Sequence, residues 1–169
     1  TNPSWSARCN FGCIGYGGKL WVIGGTDAKG TYLNDVWNSA DGVTWTQVRT
    51  TSPWAARSSF GLVEFNGAMY IICGKTGTAS ATNDLWYSTD GNIWTPIPNA
   101  SKVSARSNPN TCAVGNRLFV AGGTRANGDP IGDLLYMSTA FDWTLGRGII
   151  QSPAPQDCGS VQYQNALWM

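Results

Sequence analysis

The chain has 169 residues, of which 12% are charged, and Lys+Arg 11 against Asp+Glu 10 leaves a net charge of +1; an ordinary soluble domain carries roughly 25% charged residues. It contains no histidine, which excludes from these residues a Ser-His-Asp triad, a Cys-His dyad and His-ligated zinc, copper or haem. Scattered lysines give no basic stripe for nucleic acid, and no apolar run approaches the roughly 18 residues of a membrane span.

With 42% hydrophobic and 12% aromatic residues, the chain can bury a core. Length allows about one domain. Gly, Thr, Trp and Val are plentiful while Glu, Lys and Leu are sparse, which points to an all-β protein with many turns. Thr1 is no initiator Met and nothing at the start resembles a signal peptide, so the expectation is a chain processed, trimmed or cut from something longer.

An internal repeat organises everything else. Arg8, Arg57 and Arg106 are spaced 49 apart, as are Asp35, Asp84 and Asp133, Trp45, Trp94 and Trp143, and Gly25, Gly74 and Gly123. The aromatic set Trp21, Tyr70, Phe119 and Trp168 keeps the same step four times. The units run over about 5–53, 54–102 and 103–151, with a truncated fourth at 152–169, all within one domain of residues 1–169.

Each unit reads as four short strands. In the second, strand a is Phe60–Phe65 after the arginine, and the turn Asn66-Gly67 follows, since both residues tolerate positive φ. Strand b is Ala68–Cys73, a nearly continuous apolar run suited to burial on both faces, and it stops at Gly74. Strand c is Asp84–Ser88. A tight turn at Asp90-Gly91 leads to strand d around Ile93–Thr95, and Pro96 to Ser104 crosses to the next unit. Four antiparallel strands, repeated, is the sequence form of a propeller blade, whose two faces are buried only by neighbouring blades.

These motifs resemble a kelch-type β-propeller. A double glycine closing strand b, an aromatic shortly before it and a Trp in strand d are present as Trp21-Val-Ile-Gly-Gly25 with Trp45, and as Phe119-Val-Ala-Gly-Gly123 with Trp143. The middle unit departs, with Cys73 in place of the first glycine. Ser39-Ala-Asp-Gly-Val-Thr-Trp45 and Ser88-Thr-Asp-Gly-Asn-Ile-Trp94 are also similar, one residue shorter, to the Asp-box turns of sialidase-like propellers, and are read as c–d hairpin turns. The third unit loses their polar part to Met137, Thr139 and Ala140. Three units of 49 account for 147 residues and leave 22, so the expected fold is three blades and part of a fourth, an incomplete ring. Either a longer chain or an assembly of chains would complete it.

Alternate connections of a meander fall on one side, so the d–a linkers (48–56, 97–105, 146–155) and the b–c loops (26–33, 75–82, 124–131) share a long-loop face, where binding is expected. Arg8, Arg57 and Arg106 head strand a there. They are candidate ligand-binding residues, since three guanidiniums can hold carboxylate or sulfate bidentately. The resemblance implies the same, because arginines at this repeat position in kelch adaptors of ubiquitin ligases help bind acidic peptides. The structural alternative is that each ties its blade to the neighbour's backbone. Trp5 and Trp54, three residues earlier, are candidates for stacking on sugar rings, or pack between blades. Asp35, Asp84 and Asp133 are expected to cap the b–c loops through local hydrogen bonds.

Glu64, the only glutamate, lies mid-strand, a poor place for a sialidase Tyr–Glu nucleophile pair, and no pair of positioned carboxyls is marked. No catalytic residue, cofactor or metal site is expected. Five cysteines occupy no repeated position; Cys9 and Cys13, four apart in one expected strand, are too far separated for a bridge. Asn99-Ala100-Ser101 is a glycosylation triplet. Low charge with many Trp, Ser, Thr, Asn and Gly resembles secreted adhesive and lectin-like proteins, so an extracellular or cell-surface setting is expected, with the cytoplasm as alternative.

The expected function is a non-enzymatic kelch-repeat recognition module for protein or glycan. Its partners lie on the long-loop face or complete the ring, with no nucleic acid and no membrane span among them. The alternatives are a structural subunit of a surface filament or assembly, and a non-catalytic arc of an oxidase-like or sialidase-like propeller enzyme.

Overall fold

A computed structural model describes residues 4–77, 81–98, 100–146, 161–163 and 166–168. The chain is all-β: three antiparallel sheets follow one another, and a two-stranded hairpin comes after them. The first sheet orders β1 (Arg8–Cys9) and β2 (Gly12–Tyr16), then β3 (Lys19–Asp27), β4 (Tyr32–Ser39) and β5 (Thr46–Arg49). The second repeats it with β6 (Arg57–Ser58) and β7 (Gly61–Phe65), β8 (Ala68–Thr76), β9 (Ala81–Ser88) and β10 (Thr95–Pro96). The third has β11 (Asn110–Val114), β12 (Arg117–Ala121), β13 (Leu134–Met137) and β14 (Trp143–Leu145), and the hairpin is β15 (Val161–Tyr163) with β16 (Ala166–Trp168).

The apolar run of β8 shows why the sheets need one another. Met69 and Ile71 join a buried cluster with Trp21, Ile23 and Val36 of the first sheet. Tyr70 and Ile72, one residue out of phase, join another with Leu118, Val120 and Trp143 of the third. Successive side chains of a strand point to opposite faces, so a strand sandwiched between two sheets must be apolar throughout. Each such side chain contributes about 1.5–3 kcal/mol on burial.

Several expected strands change at their ends. Strand a is two pieces in the first two units, and in the third an isolated bridge at Ser107 precedes β11, because the residue at the break takes a left-handed φ: 52° at Asn10, 53° at Ser59 and 51° at Asn108. That kink carries the backbone to the next sheet. Ser59 N–H donates to Asn10 O at 2.9 Å, and Asn108 N–H to Ser59 O at 2.8 Å. The kink also separates Cys9, in β1, from Cys13, in β2, so the two do not share one regular strand; both are exposed free thiols.

Strand b continues past the glycine pair to Thr76, with an irregularity in its pairing between Ile72 and Gly74. Cys73 takes φ 59° there, a glycine-like value that burial around it holds in place. Strand c begins earlier than expected, at Ala81. Strand d shrinks to Thr95–Pro96, because proline cannot donate to a ladder and is confined to an edge. Asn99 and Cys158 lie outside the described residues.

Candidate functional site

The arginines that head strand a are inside the protein. Their side chains are 1%, 0% and 0% exposed at positions 8, 57 and 106, while the paired Asp35, Asp84 and Asp133 remain 13%, 40% and 28% exposed. Arg57 Nη1 and Nη2 donate to the two carboxylate oxygens of Asp84 at 2.8 and 2.6 Å. Arg8 does the same to Asp35 at 2.7 and 3.0 Å, and Arg106 to Asp133 at 2.6 and 2.8 Å.

Each Nε donates to a carbonyl two residues earlier (Ser6, Ala55, Ser104). Each Nη1 also donates to the carbonyl at the first position of the glycine pair (Gly24, Cys73, Gly122). One guanidinium therefore ties strands a, b and c of its own sheet, not of the neighbour. Asp35, Asp84 and Asp133, expected to cap loops locally, are instead the partners of these arginines across the sheet. As direct anion clamps the arginines are corrected: buried, with their carboxylate-facing edges occupied, they offer a ligand no open fork. Burial pushes the Asp84 carboxyl up, but the Arg57 hydrogen bonds and charge, with the Trp86 indole, hold it below the usual range.

The tryptophans divide by surroundings. Trp54 is 1% exposed and meets Trp94 edge-on at 6.1 Å, so it presents no face to a sugar. Trp5 is half-buried and meets Trp45 edge-on at 5.6 Å. The arginines lie over these rings, 5.5 Å from Trp5 and 5.9 Å from Trp54, a cation–π contact that explains the fixed three-residue spacing. Two further residues escaped the sequence reading: Trp37 and Trp86 donate Nε1–H to Asp35 and Asp84 at 2.7 Å. Their Asp-x-Trp spacing was the available signal, and Leu135 breaks it in the third unit.

The turn face is also occupied with itself. Asp41 accepts the backbone N–H groups of Thr44 and Val43 at 2.7 and 2.8 Å, and the Ser39 hydroxyl lies 2.9 Å away. The N–H groups of Thr44 and Val43 and that hydroxyl bring its pKa to about 2. Asp90 repeats the arrangement with Ile93, Asn92 and Ser88. In the third unit Phe141 stacks on Tyr87 at 5.5 Å instead. Glu64 is exposed in β7, near Gly67 N–H at 3.4 Å.

One of the cavities on the loop face, of about 190 Å³, lies at the seam between the second and third sheets, with Lys75, Ser107, Thr124 and Arg125 in its wall. Backbone bonds hold the seam: Arg106 N–H donates to Thr82 O at 3.1 Å, and Ser107 and Thr124 exchange bonds at 2.9 and 2.8 Å. Lys75 and Arg125 are exposed and, among the described residues, neither is ion-paired. Their signal in the sequence was a departure from the repeat: Lys75 stands where the other units have Thr26 and Thr124, and Arg125 where they have Asp27 and Thr76. Among the described residues no group of three or more His, Cys, Asp or Glu side chains is placed to hold a metal ion.

Residues 1–165 match the KLHDC2/KLHL20/DRC7 Kelch-repeats domain. The chain belongs to the Kelch-repeat family. No curated protein matches it. A Kelch-repeat domain is a β-propeller module for protein interaction, in general without catalytic activity. In this kelch chain the Arg–Asp ties join strands a, b and c beside the b–c loops. Among the described residues no helix is long and apolar enough to cross a membrane.

Proposed function

We propose that the chain is a non-catalytic recognition module that binds a carboxylate-bearing protein segment on its loop face. The observation that carries this reading is the pair of exposed cations, Lys75 and Arg125, in the wall of one cavity together with Ser107 and Thr124. Two cations in a concave wall suit a carboxylate better than a neutral sugar. The buried arginines act beneath the surface. Arg57 anchors β8, which carries Lys75, and Arg106 bonds the Gly122 carbonyl just before the loop that carries Arg125, so the cavity needs little ordering when a partner binds.

Support for a non-catalytic role comes from the carboxylates themselves. Asp35, Asp84 and Asp133 are each clamped by a guanidinium, and Asp41 and Asp90 by turn N–H groups. None is an unshared acid–base pair of the kind glycoside hydrolysis requires.

The test is an array of acidic, amidated and neutral peptides together with neutral and sialylated glycans, probed with the wild type and with Lys75→Glu/Arg125→Glu. Binding confined to free-acid peptides, weakened by salt and lost in the double variant, is the expected result. Unchanged binding by the double variant, or binding confined to neutral glycans, overturns the reading.

A further inference from the structure

Arg49 ends β5, the outermost strand of the first sheet, where that sheet meets the second. Its Nε donates to Thr51 O at 2.9 Å, and its Nη1 donates to Asn92 O in the c–d turn of the second sheet, also at 2.9 Å. One carbonyl lies in the linker and the other across the seam, so the meeting of the two sheets fixes the plane of the guanidinium.

The buried arginines show what this arrangement leaves out. Arg8, Arg57 and Arg106 also donate to two backbone carbonyls each, and each then meets a carboxylate through Nη1 and Nη2. Arg49 has the carbonyls without the carboxylate. Among the described residues it forms no ion pair, and its Nη2 has no hydrogen-bond partner. A guanidinium held in this way loses little side-chain freedom when an anion reaches it.

Arg49 is half-buried and lines a cavity of about 290 Å³ with Gln47, Thr50, Thr51 and Asn92, all four exposed. These are amide- and hydroxyl-bearing residues, whose groups both donate and accept. No acidic and no aromatic residue is in the wall, and Val48 is its one apolar member. Asp90, two residues before Asn92, is occupied by the N–H groups of Asn92 and Ile93. The cavity belongs to this seam. At the next one the equivalent positions are Pro96 for Gln47, Pro98 for Arg49 and Phe141 for Asn92, and Phe141 stacks on Tyr87 at 5.5 Å.

The wall selects its ligand. One fixed cation matches a single negative charge, and the neutral polar residues around it match a ligand with several hydroxyls. An acidic side chain of a peptide would meet the charge and leave those amides and hydroxyls unmatched. We propose that this cavity binds a sugar acid, a pyranose ring bearing one carboxylate. The carboxylate lies on Arg49 as Asp84 lies on Arg57, and the ring hydroxyls meet Gln47, Thr50, Thr51 and Asn92. The site is separate from Lys75 and Arg125, which line a cavity at the other seam.

Titration of the nitrogen-15-labelled protein with methyl glucuronide, followed by NMR, reads the binding residue by residue. Methyl glucoside, which lacks the carboxylate, and acetate, which lacks the ring, are the controls. Saturable shifts confined to residues 47–51 and 92 are expected with the glucuronide, half-complete at about 1 mM, a strength within reach of so small a ligand. Both controls are expected to bind at least tenfold more weakly. Arg49→Gln is expected to weaken glucuronide binding at least tenfold. Gln47→Ala, which leaves the Arg49 bonds in place, is expected to weaken it about threefold with the thermal transition unchanged. Lys75→Glu/Arg125→Glu is expected to leave it unaltered.

Four results would each overturn the proposal: no saturable shift with the glucuronide, acetate or the glucoside binding as tightly, shifts centred on Lys75 and Arg125 instead, or affinity indifferent to both Arg49→Gln and Gln47→Ala. Loss of acidic-peptide binding in Lys75→Glu/Arg125→Glu concerns the other cavity alone, so the two sites stand or fall separately.

Discussion

Arg57 and Asp84, 27 residues apart in sequence, share two parallel hydrogen bonds of 2.8 and 2.6 Å, with the guanidinium fully buried and the carboxylate 40% exposed. The asymmetry decides how the pair responds to mutation. Removing the carboxylate leaves a buried cation without its partner, which costs about 3–5 kcal/mol. Asp84→Ala is therefore expected to lower stability by that amount in urea unfolding. Arg57→Met/Asp84→Leu is expected to recover part of the loss, so that the double variant is more stable than Asp84→Ala alone. A double variant less stable than Asp84→Ala would show that the tie itself, and not the stranded charge, dominates.

The Asp41 turn makes stability depend on acid. Its folded pKa, about 2, lies below the value near 4 of an unfolded chain. The depressed carboxyl contributes stability that is fully present above pH about 4 and is lost as pH falls through about 2. Asp41→Asn is expected to lower the thermal transition at pH 7 and to flatten its fall between pH 4 and 2. Melting curves from pH 7 to 2 check both signs. Thr139→Ala, in the unit without the acid, is expected to leave the pH slope unchanged.

Gly91 and Gly67 share a left-handed backbone, φ 71° and 70°, but not their surroundings. At Gly67 an added Cβ meets nothing within 4 Å, whereas at Gly91 it would lie 2.1 Å from Trp21. Gly67→Ala is expected to cost only the backbone term, about 1–2 kcal/mol. Gly91→Ala adds displacement of an indole from a packed seam, which raises the cost by about 1–3 kcal/mol more. Denaturant midpoints of the two variants give the difference directly, and equal losses would mean that Trp21 moves aside freely.

Thiol chemistry should separate the cysteines. Burial pushes the Cys73 thiol up to about 12, with the charges of Arg106 and Arg57 opposing only in part, and burial raises Cys112 as well. The thiolate is the reactive form. Maleimide labelling at pH 8 followed by peptide mass mapping is expected to mark Cys9 and Cys13 in the folded chain, and Cys73 and Cys112 only after unfolding. Labelling of Cys73 at the rate of Cys9 would show that the seam between the second and third sheets opens readily.

The repeat made most of the fold readable, because a period of 49 residues fixes which side chains occupy equivalent places. Strand order and the c–d turns follow from alternation and from Asp-Gly chemistry, both local. The kink at Asn10, Ser59 and Asn108 was not readable, since no local turn marks it and the bonds that accompany it, Ser59 N–H to Asn10 O and Asn108 N–H to Ser59 O, join different sheets. The same limit applies to Lys75 and Arg125: adjacent repeat positions in different units become one cavity wall only when two sheets meet.

Sequence by itself determined that Arg8, Arg57 and Arg106 occupy one recurring site with Asp35, Asp84 and Asp133 at another, because exact spacing is a property of the chain. Only the tertiary structure decided what that recurrence is for. Pairing of strands a, b and c brings each carboxylate across to its guanidinium, and the folded chain removes water from the arginine. Burial and direction are relations between segments distant in sequence, so a guanidinium open to ligand and one locked inside a sheet have the same spelling.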